Sequence, residues 1–184
     1  MKLLKSIFIL TLLVAMSSCK KEKEVIPEII DEDVEEVIST FYFIRHAEKD
    51  QSDKTNRDPE LNQAGLGRAV YWAEVFNKIP LDAIYSTDYD RTKMTAAPTA
   101  IQKEITVQYY NPSTVDVPQF MADNLGKRVL VVGHSNTTPD FANKVLGETS
   151  FPQMNEDNNS SLFVVTVVGN QATANEFTIN VDSQ

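Results

Sequence analysis

The stretch "KRVLVVGH" (residues 127–134) constrains the fold more than any other part of this chain. It is a run of β-branched and aliphatic residues with no alternation of polar positions, the pattern of a strand buried on both faces of a sheet. A second such run, "STFYFI" (39–44), opens the ordered-looking region and ends in Arg45-His46. Between and beyond these runs the sequence alternates strand-like and helix-like segments. "NQAGLGRAVYWAEVFNKI" places Leu66, Ala69, Val70, Ala73, Val75 and Phe76 at helical spacing, with Gly67 weakening its start. "LDAIYS" and "ITVQYY" read as strands, and "VPQFMADNL" as a short helix that opens near a proline and stops before Gly126. "DRTKMTAAPTAIQKE" is a helix in which Pro98 is expected to introduce a kink or a break. "TTPDFANKVLG" is a further helix, with Pro139 in its first turn and Gly147 past its end. The close, "SLFVVTVV", "GN" and "ATANEFTINVD", is a β-hairpin pattern.

This order predicts an α/β fold: a three-layer sandwich with a mostly parallel central sheet, helices on both faces and a C-terminal antiparallel hairpin. In such sheets ligands bind beyond the carboxyl ends of the strands. The chain has only two histidines, and both fall there. His46 follows "FYFI" by one residue, and His134 follows "VLVVG" directly. Arg45 needs an anion or water at the end of a core strand, because its guanidinium stays charged. Arg91 lies beyond another strand end, in "IYSTDYDRTKMTA", near a helix start whose bare N–H groups favour an anion. The plainer alternative is a surface arginine paired with Asp88 or Asp90. Two arginines and two histidines on one sheet edge would form a pocket for a dianion, with phosphate the obvious occupant. A metal site built from His46, Glu48 and His134 is the competing reading, and the two arginines oppose it.

The residues before the domain carry a different signal. "MKLLKSIFILTLLVAMSSC" has a lysine-bearing start, an apolar run too short to span a membrane comfortably, and small residues before Cys19. It resembles a bacterial lipoprotein signal, with Cys19 as the lipidated residue. Plain secretion is the alternative. Residues 20–38 form an acidic, charged tether that contains a proline. Residues 39–184 remain for a single globular domain. A formal net charge of −9 argues against nucleic-acid binding. With one cysteine, the chain has no intrachain disulfide. The expected location is outside the cytoplasm, on the periplasmic or outer-membrane side, with membrane contact through the lipid anchor only.

Several motifs taken in order resemble the histidine phosphatase superfamily, the phosphoglycerate-mutase-like fold. "RHAEK" matches its Arg-His pair at the end of the first strand. "DPELNQAGLGRA" resembles the loop and helix entry that follow, "YSTDYDRTKMTA" the segment bearing its second arginine, and "VVGHSNT" the context of its second histidine. The resemblance implies that His46 is a nucleophile that becomes a phosphohistidine and must be neutral to attack. It implies that Arg45, Arg91 and His134 hold the phosphoryl oxygens, with His134 serving best when protonated. No metal or cofactor is implied. The implied activity is a phosphatase acting on a small phosphorylated molecule or a phosphoprotein. A phosphomutase and a non-catalytic phosphate-binding lipoprotein are the alternatives. The pattern fails at the acid that protonates the leaving group. "QYYNPSTVDVPQ" lacks the family's glutamate, and Ser135 stands where other members have an aspartate. Asp116 and Glu48 are the candidates for that role, with Asp88 a further one.

Overall fold

The computed structural model describes residues 36–181. The signal, Cys19 and most of the tether lie outside the described residues. Six strands form one sheet: β1 (Ile38–Arg45), β2 (Ala83–Ser86), β3 (Val107–Tyr109), β4 (Arg128–Gly133), β5 (Ser161–Val168) and β6 (Gln171–Thr178). Four helices connect them: α1 (Gln63–Phe76), α2 (Asp90–Lys103), α3 (Val117–Asp123) and α4 (Thr137–Leu146). The spatial order is β3-β2-β4-β1-β5-β6. The first four of these are parallel, and β5 and β6 add an antiparallel edge. The fold is therefore the expected α/β sandwich with its terminal hairpin.

The central strands divide their side chains between two cores because successive residues of a strand face opposite ways. Phe41, Phe43, Val129 and Val131 meet Phe120 of α3 and Phe141, Ala142 and Val145 of α4. Ile44, Leu130 and Val132 meet Trp72 and Phe76 of α1 and Ala96 and Ala100 of α2. Helices thus cover both faces, and this explains why β1 and β4 read as unbroken apolar runs. Each of the large side chains buried here contributes about 1.5–3 kcal/mol relative to exposure. Pro98 does not divide its segment: α2 runs through it from Asp90 to Lys103. The apolar face formed by Ala96 and Ala100 around the proline keeps the helix seated on the sheet.

A contact outside the sheet fixes the chain after β1. Lys49 bridges to Leu61, and the backbone N–H of Asn62 donates to the carbonyl of Glu48. The side chain of Asn62 then caps α1 by accepting from Gly65 N–H. Gly65 lies so close to this segment that a Cβ there would stand 2.1 Å from the Glu48 carbonyl oxygen. Two residues on, Gly67 has nothing within 4 Å of the same position. Gly65→Ala should therefore lower stability by about 1–3 kcal/mol, the usual effect of overpacking. Gly67→Ala should raise it by about 0.5–1 kcal/mol through helix propensity. Denaturant unfolding of the soluble domain checks this pair, and equal effects of the two substitutions would contradict the packing described.

Candidate active site

The carboxyl ends of β1 and β4 lie side by side. Arg45 is in register with Gly133, and His46 N–H donates to the Gly133 carbonyl at 2.9 Å. The residues that follow, His46 and His134, consequently bring their rings to 5.5 Å between centroids, edge to face. β2 ends one strand away, and the turn after it leads to Arg91 in the first turn of α2. The four residues line one cleft of about 580 Å³ at the carboxyl edge of the sheet.

His46 is held on every side that leads to backbone. Its N–H is bonded to Gly133, its carbonyl accepts from the Asn159 side-chain amide at 2.8 Å, and the next N–H, of Ala47, donates to Thr95 Oγ1 at 2.9 Å. The same Thr95 hydroxyl donates to the carbonyl of Arg91 at 2.7 Å, so one hydroxyl ties the histidine segment to the arginine helix. The imidazole places Nδ1 at 2.7 Å from the Ala47 carbonyl. A carbonyl only accepts, so Nδ1 carries the proton and the lone pair lies on Nε2. Burial, opposed by that bond to Ala47 and aided by Arg45, His134 and Arg91, pushes the pKa down to about 3. The ring is thus neutral at physiological pH with one nitrogen available.

His134 has Nε2 at 2.9 Å from Thr87 Oγ1 and Nδ1 at 3.4 Å from an Arg91 terminal nitrogen. Arg91 can only donate, so Nδ1 accepts and Nε2–H points to Thr87. That hydroxyl continues to Thr92 Oγ1, which donates to the carbonyls of Thr87 and Tyr89. Burial first, then the charge of Arg91, hold His134 at about 4. The protonated state expected for it is therefore not its resting state.

Both arginines are anchored through their terminal nitrogens, and each has a buried Nε. Arg45 is 2% exposed and donates to the carbonyls of Asn155 and Asn158 and to Glu156 Oε2, at 2.9, 3.2 and 2.9 Å. Arg91 bonds Asp58 at 3.2 Å and stacks over the Tyr89 ring, 4.4 Å from its centroid. In each, the buried Nε–H has no partner among the described residues. Two unpartnered charged donors beside an available imidazole nitrogen can hold an oxyanion bidentately or between them. The alternative of a plain surface arginine is inconsistent with Arg91, which lines this cleft and touches His134.

The acid candidates are dispersed. Asp116 is absent from the cleft lining, and its carboxylate caps α3 by accepting from Gln119 N–H at 3.0 Å. Glu48 faces Arg68, which donates to both its oxygens at 2.8 and 3.0 Å. Asp88 lies at the cleft but pairs with Lys93. The other carboxylate at the cleft is Glu156, held between Arg45 and Ser135 Oγ, and these bonds keep its pKa below the usual range. Sequence reasoning missed Glu156, Thr87, Thr95 and Asn159. Asn159 and Glu156 were discoverable in principle, because an antiparallel β5 brings the polar loop before it to the carboxyl edge of β1. Among the described residues no group of three or more His, Cys, Asp or Glu side chains is placed to hold a metal ion.

The two depressed histidines give the site a pH signature. An unfolded imidazole takes up a proton near its ordinary value of 6.5, while the folded ones resist until about 4 and about 3. The unfolded state therefore binds more protons in this window, and stability should fall as pH drops from about 6.5, levelling only below the folded values. Each histidine adds at most about 1.4 kcal/mol per pH unit to that slope. His46→Asn and His134→Asn should each flatten the decline between pH 6 and 4, by roughly that limit. Stability profiles parallel to wild type would contradict the burial-driven shifts.

Comparison with known proteins agrees with this geometry. Residues 41–111 match the model of the histidine phosphatase superfamily (branch 1). No curated protein matches the chain significantly. Among solved structures, the protein histidine phosphatase SixA complexed with tungstate superposes with a TM-score of 0.62 at 14% identity, over 76% of this chain and 96% of that one. A mycobacterial glucosyl-3-phosphoglycerate phosphatase does so at 0.58 and 14%, over 78% of this chain and 100% of its own. A protein described as mycobacterial hydrolase 1 gives 0.60 and 15%, with coverage of 78% and 100%. At such identities the superpositions speak for the fold alone. The chain thus has the fold of these phosphatases and, over residues 41–111, is similar in sequence to the histidine phosphatase superfamily.

Proposed function

We propose that this protein is a phosphatase that acts through a phosphohistidine on His46, exported and held at a membrane by a lipid on Cys19. The observation that carries the catalytic reading is the His46 tautomer. Nδ1–H is bound to the Ala47 carbonyl, so the Nε2 lone pair is available at neutral pH in a cleft that Arg45 and Arg91 also line. Nε2 would attack phosphorus, the bond from phosphorus to the leaving atom would break, and the electron pair would leave with that atom. Water would then attack the phosphohistidine, releasing phosphate and restoring the neutral ring. Arg45 and Arg91 would bind the equatorial oxygens throughout, an electrostatic task that requires no movement. His134 would begin neutral. A bound dianion between it and the arginines offsets their charge and would raise its proton affinity.

The missing acid shapes the substrate range. Asp116 and Glu48 have other partners, and Glu156 is kept ionised by Arg45 and Ser135. Leaving groups that depart with little proton help would then be preferred, meaning aryl phosphates and phosphoramidates over alkyl phosphates. SixA and the mycobacterial glucosyl-3-phosphoglycerate phosphatase, which share the fold, leave open both a phosphoprotein and a small phosphorylated molecule. A mutase is disfavoured because the cleft is open to water.

With p-nitrophenyl phosphate, His46→Ala should leave no turnover above background and an intact cooperative unfolding transition. Wild-type protein denatured during turnover should carry acid-labile, base-stable phosphate. Across a series of aryl phosphates, kcat/KM should fall steeply as the leaving phenol becomes more basic. Asp116→Asn and Glu48→Gln should not change that slope. Activity retained in His46→Ala sinks the mechanism, and a steeper slope in either carboxylate variant restores that residue as the acid.

The anchor has its own test. Wild-type protein expressed with its leader should partition into the detergent phase after export, and Cys19→Ser should shift it to the aqueous phase. Identical partitioning of the two would make the cysteine incidental.

A further inference from the structure

Beside the phosphoryl cleft lies a second, smaller one of about 230 Å³, formed by the loop that leaves His46. The two clefts share Lys49 and Arg91 on their linings, and the smaller one adds Lys54 and Arg57. Four cations against two carboxylates is an inverted balance in a chain of net charge −9. Arg91 is engaged by Asp58, whereas Lys49, Lys54 and Arg57 form no salt bridge among the described residues. The two local carboxylates are turned to their own loop. Asp50 accepts from the N–H and hydroxyl of Ser52, and Asp53 from those of Thr55. Each is thereby held ionised without neutralising a cation. Lys49 is partly buried, and its charge acts on both His134 and Glu156. Lys49 thus stands on the wall common to both clefts, while Lys54 and Arg57 are exposed at the rim of the smaller one.

We propose that this cleft is a second anion subsite, built by Lys49, Lys54 and Arg57, that selects phosphorylated substrates bearing another anionic group, a carboxylate or a second phosphate. The proposal rests on the phosphatase reading, because it places the selected group relative to a phosphoryl bound at His46. A neutral leaving group would leave the three cations to water, whereas an anionic one would be attracted at the rim and oriented across the shared wall of Lys49. The expected effect is on substrate binding rather than on the phosphoryl transfer step.

The test uses phenyl phosphate, 4-carboxyphenyl phosphate and 1,4-phenylene bisphosphate, with the intrinsic reactivities cancelled by comparing each ester's kcat/KM relative to phenyl phosphate across variants. In Lys49→Gln and in the Lys54→Gln/Arg57→Gln double variant, the relative kcat/KM of an anionic ester should fall at least threefold, through KM. A fall for the bisphosphate alone or the carboxylate alone identifies which group the subsite takes. A change below threefold for both esters in both variants overturns the proposal. Turnover of phenyl phosphate by wild type tests the phosphatase reading separately. Should that turnover be absent, calorimetric affinities of the three esters for the same proteins decide the subsite by the same threefold criterion.

Discussion

At the centre of the sheet, β1 and β4 run parallel and in register up to Arg45 and Gly133, and the His46 N–H closes the ladder on the Gly133 carbonyl. Everything in the cleft depends on this pairing. It sets two residues that are 88 positions apart side by side, with their imidazoles edge to face. A slip of one residue would turn His46 to the other face of the sheet, since strand side chains alternate. Both faces of both strands are packed against helices, so such a slip would exchange Phe41 and Phe43 for Tyr42 and Ile44 across two cores. The register is thus secured by apolar burial on two sides, and the site inherits that precision.

The second constraint is the way burial and charge are combined. Desolvation alone would favour neutral histidines, and arginines alone would attract anions indiscriminately. Here the Arg45 guanidinium is held by two backbone carbonyls and Glu156 and that of Arg91 by Asp58, and each keeps a buried Nε–H with no partner among the described residues. Their charge and the burial of the imidazoles act in the same direction, keeping a nucleophilic nitrogen unprotonated. Thr95 joins the two halves by accepting from Ala47 and donating to Arg91. Donors fixed in this way can stabilise charge on a bound oxyanion without reorganising.

Much of this was legible in the sequence because the strongest signals were periodic or positional. Apolar runs located β1 and β4, their ends located His46 and His134, and the rule about carboxyl edges joined them. What the sequence hid were contacts made by short polar side chains at long range. Thr95, Asn159 and Glu156 lie 49, 113 and 110 positions from His46 and carry no local motif. Their roles follow from helix phase and from the antiparallel placement of β5. Asp116 shows a related limit: its sequence position suits an acid, whereas in the structure its carboxylate caps the start of α3. Of the kink or break expected at Pro98, the break does not occur, because α2 continues through the proline with Ala96 and Ala100 packed in the core.

The central claim is that His46 is neutral, with its proton on Nδ1 and its lone pair on Nε2. Long-range proton–nitrogen NMR on protein labelled with nitrogen-15 histidine reads this directly, since only two histidines contribute. At neutral pH the account predicts a pyrrole-type shift for Nδ1 of His46 and a pyridine-type shift for Nε2, assigned by comparison with His134→Asn. Averaged or imidazolium-type shifts at both nitrogens, or the reverse assignment, would contradict it.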